Sequence, residues 1–378
     1  MLLLGIESSC DETAAALVAD GERIRSSVVA SQVRMHERYG GVVPELASRE
    51  HLRAIEPVVE EACRQAEVAL QDVDAIAVTE GPGLVGSLLV GLVYGKALAL
   101  AMNKPLIGVN HLEGHIHAVL LENKIDRAAG KAAEEARLPA VTLVVSGGHT
   151  TLFHVTAETS ATSSAHSFAY RQLGHSRDDA AGEAFDKVAR LLALGYPGGP
   201  VIDKLSRFGD PHAVDFGRIK MKGNPLDFSF SGLKTAVLYR VRGTTLEQEA
   251  EERQAWRKTV KRPALDELRA HCSQATIDLV AGFQYAVVQD LVERTRAAAE
   301  DSRVDNIFVS GGVACNSLLR QRFAESCKGF HVFFPSLALS TDNAAMIAAA
   351  GYYRLLAGER AGISLTPHAS FPLGAKSA

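Results

Sequence analysis

Short apolar runs of strand length alternate along this chain with glycine turns and longer helix-prone stretches. LLLGIESSCDETAAALVAD (2–20) predicts a strand, a turn of small and acidic residues, and a second strand. AVTLVVSGGHTTLFHV (140–155) has the same grammar around Ser-Gly-Gly. Each hairpin is followed downstream by a strand, glycines and a helix: AIAVTEGPGLVGSLLVG (75–91), then NIFVSGGVACNSLLRQRF (306–323). One unit used twice predicts an α/β protein of two duplicated domains facing a cleft, with the glycine turns lining it.

The segments between the repeats are less regular. ENKIDRAAGKAAEEARLP (122–139) is polar and helix-prone and is expected as an exposed excursion. LEQEAEERQAWRKTVKRPALDELRAH (246–271) mixes both signs of charge and predicts one or two surface helices, solvated by default, with a partner or RNA surface as the alternative. The longest apolar run, SLLVGLVYGKALALAM (87–102), is broken by Gly91, Gly95 and Lys96, which favours a buried helix over a membrane span. GPGLVG (81–86) matches G-x-G-x-x-G after a strand. The acid a dinucleotide site needs about 20 residues on is missing, because PLIGVN ends in Asn110, so close helix–strand packing explains these glycines better.

Composition narrows the class. At 378 residues, 47% hydrophobic and 22% charged, the chain is long enough for two domains with ordinary cores. MLLLGIE has one short apolar run before acids at Glu7, Asp11 and Glu12, which does not fit a signal peptide. Five cysteines without C-x-x-C spacing suit reduced thiols in a cytosol. A net charge of −4 excludes binding of nucleic acid through a global field, so local patches or partner proteins must supply any attraction. Lys220, Lys222, Lys234, Arg34 and Arg38 are candidates, with solvated charge the default for each.

The chemistry starts from VNHLEGHIHA (109–118). His111 and His115 are four apart, one turn along a helix, and can share an ion. A zinc protease needs its glutamate directly after the first histidine. Glu113 sits at i+2, about 200° round the helix, and points away from such an ion. The inverted H-x-x-E-H form fails as well, because Gly114 fills the required slot. STDNAAM (340–346) follows the strand HVFFP and begins a helix, where Asp342 either caps or supplies a third, oxygen ligand. Two imidazoles and a carboxylate suit iron(II) or zinc with positions open for substrate. SGGHT (146–150) and SGGVACN (310–316) are turns whose bare amides can surround a phosphate, which favours a nucleotide cleft. Asp186 and Asp203 flank GYPGGP; ribose hydroxyls seek such acceptors, and helix capping and surface exposure are the alternatives.

Taken together, GIESSCDETAAA, YGGVVPELASREH, EGPGLVGSLLVG, NHLEGHIHA, LVVSGGHT, DDAAGEAFDKVARLLALGYPGGP, DFSFSGLKTAV, SGGVACNS and STDNAAMIA resemble the tRNA threonylcarbamoyladenosine transferase family. The nine motifs keep the family's order across about residues 3–242 and 276–373. The resemblance implies an actin-like, sugar-kinase/Hsp70-like α/β fold. On that plan residues 1–110 with about 345–378 form the first domain, and 111–344 the second, which carries the 246–271 insertion. It implies transfer of a threonylcarbamoyl group from threonylcarbamoyl-AMP to the exocyclic amine of adenosine 37 in ANN-decoding tRNAs, releasing AMP.

Carried over position by position, the resemblance makes His111, His115 and Asp342 the ligands of one divalent ion per subunit, iron(II) ahead of zinc. It places the adenylate on Val144, Val145, Ser146, Gly147, Gly148, Asp186, Gly199, Asp203 and Asn316. Asp11 and Glu12 match an acidic pair implicated in activity, as base or in placing tRNA. Expected partners are tRNA, a pseudo-paralogue subunit, a P-loop ATPase and a separate enzyme that makes the adenylate, in the cytoplasm and with no membrane. The tail LTPHASFPL departs from the family in lacking its arginine and tryptophan. Rival readings are an actin-like ATPase or kinase, a metalloprotease, and a scaffold without catalysis.

Overall fold

The computed structural model describes residues 1–131, 134–159, 166–218, 221–260 and 262–374. Its first half holds β1 (Leu2–Glu7), β2 (Glu12–Ala19), β3 (Arg23–Ser31), α1 (Val33–His36), α2 (Pro44–Ala66), β4 (Ala75–Gly81), α3 (Val85–Met102) and β5 (Leu106–Asn110). Next come α4 (His111–Ala128), β6 (Ala140–Val145), β7 (Thr150–Thr159), β8 (His166–His175), α5 (Ala181–Leu191), α6 (Gly198–Ser206) and α7 (Ser231–Val241). The chain continues through α8 (Thr245–Thr259), α9 (Leu265–Ala270), α10 (Gln274–Ser302), β9 (Asn306–Ser310), α11 (Ser317–Ser326), β10 (His331–Phe333), α12 (Leu337–Ser340) and α13 (Ala344–Leu356).

Two sheets have the same plan. The first runs β3-β2-β1-β4-β5 and the second β8-β7-β6-β9-β10. In each, the hairpin strands pair antiparallel, and the later two strands add in parallel on the other side of the first strand. The repeated unit expected from sequence is therefore present strand for strand. Parallel additions need crossover helices on the sheet faces, which explains why the inner strands are apolar at nearly every position.

Alternation assigns the two faces. Leu3, Ala14, Ala16 and Val18 pack toward α13, while Leu4, Ile6, Ala15 and Leu17 pack with Ile55 and Val58 of α2 and Leu92 of α3. The small residues of α13 let it lie close on the strands: a Cβ on Gly5 would come within 2.2 Å of the Ala344 carbonyl oxygen. In the second half, α5, α6, α7 and α10 cover one face. Leu112 and Ile116 of α4 pack on Val144, Phe153 and Val155 from the other. Helices α4 and α13 also pack on each other, with Gly114 against Met346 and Ile347. The layers thus run α2/α3, sheet, α13, α4, sheet, α5–α7/α10. The start of α4 and the residues just before α13 lie where the two halves meet.

Several expectations need correction. Helix α3 is long and apolar enough, by length and composition, to cross a membrane, yet it is not a buried helix. It lies on β4 and α2, and leaves Val85, Leu89, Val93 and Leu100 about half or more exposed on its outer side. Composition reports how apolar a helix is, not how many of its sides are covered. The excursion expected from residue 122 begins later, because α4 continues to Ala128 and buried Asn123 ties residues 134–136 back to the helix. The charged segment does form two helices, α8 and α9, but is not wholly solvated. Arg253 is buried and donates to the carbonyls of Leu192 and His271 and to Glu249. Of the basic candidates, Lys220 lies outside the described residues.

The glycines of GPGLVG serve packing. A Cβ on Gly81 would meet the His368 carbonyl, on Gly83 Ser9 and on Gly86 Ser48, each closer than 3.0 Å, and the same holds further along α3 for Gly91 against Ser8 and Gly95 against Val78. The departing tail is held by backbone: His368 N–H donates to the Glu80 carbonyl, and the carbonyls of Ala369 and Phe371 accept from Gly83 N–H and Asn110 Nδ2. Such contacts do not depend on which side chains the tail carries.

Candidate functional site

Strand β5 ends at Asn110, whose side chain accepts from Leu112 N–H and starts α4. His111 and His115 follow on adjoining turns, buried, with ring centroids 4.7 Å apart. Asp342 reaches them from the loop ahead of α13. Its Oδ1 lies 3.3 Å from His115 Nε2 and 3.6 Å from His111 Nε2. Of the two roles open to Asp342, capping falls away: Asn343, not Asp342, accepts from Met346 N–H at the start of α13. Asp342 is left free to act as a ligand.

The donor set fits a cation. The potential ligand atoms of the three residues all lie within 4.8 Å of one another. Both nitrogens of buried His115 lack a hydrogen bond, the Nε2–Asp342 approach being close but misaligned, and a buried, orphaned imidazole suits a Lewis acid. His111 is oriented by Glu7, which lies within GIESSCDETAAA but to which the sequence assigns no role. Glu7 Oε2 lies 3.0 Å from His111 Nδ1 and also accepts from Thr79 Oγ1. A proton on Nδ1 shared with Glu7 leaves the Nε2 lone pair facing Asp342.

The electrostatics ask for positive charge. Burial disfavours charge on Glu7 and Asp342, but His111 and, for Asp342, His115 hold both carboxyls below their ordinary values. Burial likewise opposes the His111 imidazolium, yet Glu7 and Asp342 push it up to about 9. A divalent ion answers the same two carboxylates without protonating a ligand.

Glu113 faces the other way, as its helical position requires. It is buried, accepts from Arg354 Nε at 2.8 Å and Nη2 at 2.7 Å, and accepts from Tyr170 Oη at 3.1 Å. It therefore ties α4 to α13 and β8, and is neither a base for metal-bound water nor a solvated helix residue. We expect Glu113→Gln to keep its metal and its activity while losing about 2 to 3 kcal/mol of stability, because Arg354 would lose its buried counter-charge but keep Glu359. Thermal melting, together with metal content, checks this.

Asp11 and Glu12 close the β1–β2 turn beside this group. Glu12 accepts from Ser31 Oγ at 3.0 Å. Burial first, then Asp11 and Asp342, raise the Glu12 carboxyl well above its ordinary value. His149 of SGGHT, to which sequence assigns no role, brings its ring 6.3 Å from that of His111. Burial and the imidazoles of His111 and His115 lower it to about 4, so it stands neutral at the cleft.

The glycine turns lie side by side. Ser146 N–H donates to the His149 carbonyl, and His149 N–H donates to Ser146 Oγ, closing the turn. Gly147 and Gly148 project outward with open space where a Cβ would be. Gly182 at the start of α5 and Gly311 of the second turn both pack against the 145–147 backbone. A side chain at either would clash, and Gly311 also has φ +96°.

Of the predicted contacts, Val144 and Val145 are fully buried core, so only their backbone can meet a ligand. Asp186 accepts from Gly198 N–H at 2.6 Å, at the start of α6, and half-buried Gly199 follows. Asp203, one turn along α6, accepts from Ser317 N–H and Oγ. Asn316 caps α11 through Leu319 N–H and donates to Gln284. As the capping alternative for Asp186 and Asp203 expects, each accepts from the first N–H of a helix, α6 and α11; Asn316 is the N-cap of α11, and the three residues link the N-termini of α6 and α11 beside the turns.

Comparison with known proteins adds the lineage. A family model described as tRNA N6-adenosine threonylcarbamoyltransferase matches residues 23–349. A relative of that name from Koribacter versatilis (strain Ellin345) is 51% identical over 387 residues, covering 98% of this chain and 99% of its own. One from Symbiobacterium thermophilum is 50% identical over 375 residues, covering 99% and 97%. Among solved structures, HypF from T. kodakarensis is similar over 94% of this chain and 47% of its own, with a TM-score of 0.53 at 12% identity. That level of identity speaks for the fold alone, and the two matched sheets make it actin-like. With relatives of one name matching nearly end to end, and a two-histidine, one-aspartate group where the halves meet, the chain belongs to the tRNA N6-adenosine threonylcarbamoyltransferase family, transferases that modify tRNA.

Proposed function

We propose that this protein moves the threonylcarbamoyl group of threonylcarbamoyl-AMP onto the exocyclic amine of adenosine 37 in ANN-decoding tRNAs, releasing AMP. The observation that carries the proposal is the meeting of His111, His115 and Asp342 beside two glycine turns and an acidic pair. The donor is a mixed anhydride lying between domain 1–110 with 345–378 and domain 111–344. Its phosphate sits at the amides of Ser146 to Gly148, and its ribose faces Asp186, Gly199, Asp203 and Asn316. His111, His115 and Asp342 would hold a divalent ion, iron(II) ahead of zinc, which when bound would supply Lewis-acid chemistry beside the donor carbonyl.

The amine is a weak nucleophile because its lone pair is conjugated with the adenine ring. As its nitrogen bonds to the carbamoyl carbon, the carbon–oxygen bond to phosphate breaks and AMP leaves with that electron pair. The amine's proton goes to the carboxylate form of the Asp11–Glu12 pair, whose raised Glu12 makes it a better acceptor than an ordinary carboxylate. Glu7 keeps His111 in register, and the Ser-Gly-Gly amides stabilise charge on the departing phosphate.

The donor separates this reading from an actin-like kinase or ATPase. Supplied with threonylcarbamoyl-AMP and unmodified tRNA, the protein should release AMP in proportion to modified nucleoside. Release of phosphate from ATP in the absence of any modified tRNA would overturn the proposal. A pH effect follows as well. Burial raises Asp186 to about 6, against amide hydrogen bonds from Gly198 and Gly199 that lower it. Above that pH it is an anion that accepts ribose hydroxyls; below it the carboxyl is protonated and loses acceptor strength. Calorimetry should show adenylate affinity falling as pH drops through about 6, and Asp186→Ala should remove that step and cost about 1 to 3 kcal/mol of binding.

Partner subunits belong to the proposal. The uncovered apolar side of α3, with exposed Leu52 on neighbouring α2, suits docking of a pseudo-paralogue subunit. A P-loop ATPase and a separate adenylate-forming enzyme complete the set, in the cytoplasm where tRNA is found.

A further inference from the structure

Around residues 37–40, four guanidinium groups from three parts of the chain come together, two of them on the Glu37 carboxylate. Arg262 Nε donates to Glu37 Oε2 at 3.2 Å, and Arg257 Nη2 lies 3.8 Å from Oε1. The Arg38 guanidinium stands 5.0 Å above the ring of Tyr39, which is 46% exposed. The side chain of Arg190 lies against Gly40, 3.7 Å from where a Cβ would be. Arg38 and Tyr39 follow β3 of the first half; Arg190 closes α5, and Arg257 and Arg262 come from the charged segment of the second half. The patch thus bridges the two halves.

Stability does not account for it. An exposed ion pair such as Arg262–Glu37 adds little to stability, and among the described residues Arg38 and Arg190 form no ion pair at all. The concentration also runs against a chain whose net charge is −4. Its position is informative. Arg190 lies one helical turn beyond Asp186, and Arg257 also donates to the Leu194 carbonyl and packs on Gly195, next to Tyr196. Burial, Asp11, Asp186 and Glu12 together raise the Tyr196 hydroxyl, so this rim opens onto the acidic cleft.

We infer that this cluster holds the phosphate backbone of the tRNA anticodon loop beside the modified adenosine, with Tyr39 offering a stacking face and Glu37 standing in the phosphate position until RNA arrives. Planar guanidinium forks match phosphate oxygens, and exposed aromatic rings under arginine are platforms for unpaired bases. An RNA loop with splayed bases fits both. Of the basic residues that sequence offers for RNA binding, Arg38 is the one that these contacts place in the cluster; none of them involves Lys222 or Lys234.

The inference rests on the tRNA-modifying reading, and the test separates the two. Unmodified tRNA is titrated against the full chain by fluorescence anisotropy over a range of salt, for wild type, Arg190→Gln/Arg262→Gln and Glu37→Gln. The two arginines are exposed, so melting temperature and AMP affinity should hold in the double variant. The double variant should bind tRNA about tenfold or more weakly at low salt, with a log–log salt slope shallower by about 1 to 2, the loss of two phosphate contacts. Glu37→Gln should bind several-fold more tightly. Unchanged affinity and slope in the double variant, with wild type binding and modifying tRNA, would overturn the inference alone, as would weaker binding by Glu37→Gln. Loss of AMP affinity along with tRNA affinity would mean a damaged cleft and also count against it. Wild type that neither binds nor modifies tRNA would sink the underlying reading too.

Discussion

Replacing His115 by alanine, or Asp342 by asparagine, is expected to strip most of the bound metal and to lower threonylcarbamoyl transfer by about 10³-fold or more, the several kcal/mol a Lewis acid contributes. The fold should survive both changes. The His115 nitrogens make no hydrogen bond that alanine would break, and Asn343 rather than Asp342 caps α13. Metal analysis and melting curves on the same preparations distinguish loss of the ion from loss of structure. Metal-free variants that transfer at the wild-type rate would remove the ion from the chemistry.

The second large effect is expected at the acidic pair. Glu12→Gln, or Asp11→Asn, should keep the metal and lower the transfer rate by about 10² to 10⁴, the usual contribution of a positioned base. Glu12 is the sharper test because burial, Asp11 and Asp342 raise its carboxyl together, while Ser31, which donates to it, lies on the edge strand. Rates under saturating tRNA separate the two roles: a base lost lowers the maximal rate, whereas a lost RNA contact is rescued by more tRNA.

Much of the architecture can be read from the chain because it is written locally. Strand, small-residue turn and strand recur at residues 2–20 and 140–155, and each hairpin has its later parallel strand and helix. The histidine pair is legible for the same reason, since four-residue spacing on a helix is local geometry. Glu7 is not, because its contact with His111 spans 104 residues and its own segment reads as the end of a strand. The Glu113–Arg354 pair spans 241 residues, so helical spacing indicates the direction of Glu113 but not its partner. Burial is the least legible property. An apolar pattern shows that α3 has a face to cover, not that its outer side stays open, and a run of mixed charge hides the fully buried Arg253. The contacts of Asp186 and Asp203 with the starts of α6 and α11 span 12 and 114 residues, so only the folded chain makes them, whereas Asn316 caps the helix that follows it directly.

The central claim is that one metal-bearing cleft moves a threonylcarbamoyl group from an adenylate to tRNA, and nucleoside mass spectrometry tests it most directly. The full chain with candidate partner subunits is incubated with threonylcarbamoyl-AMP and unmodified ANN-decoding tRNA, before chelation, after chelation, and after iron(II) or zinc is restored. Threonylcarbamoyladenosine at position 37, lost on chelation and recovered with metal, is the predicted result. Metal-loaded protein that leaves the tRNA unmodified while cleaving peptides or hydrolysing ATP would contradict it.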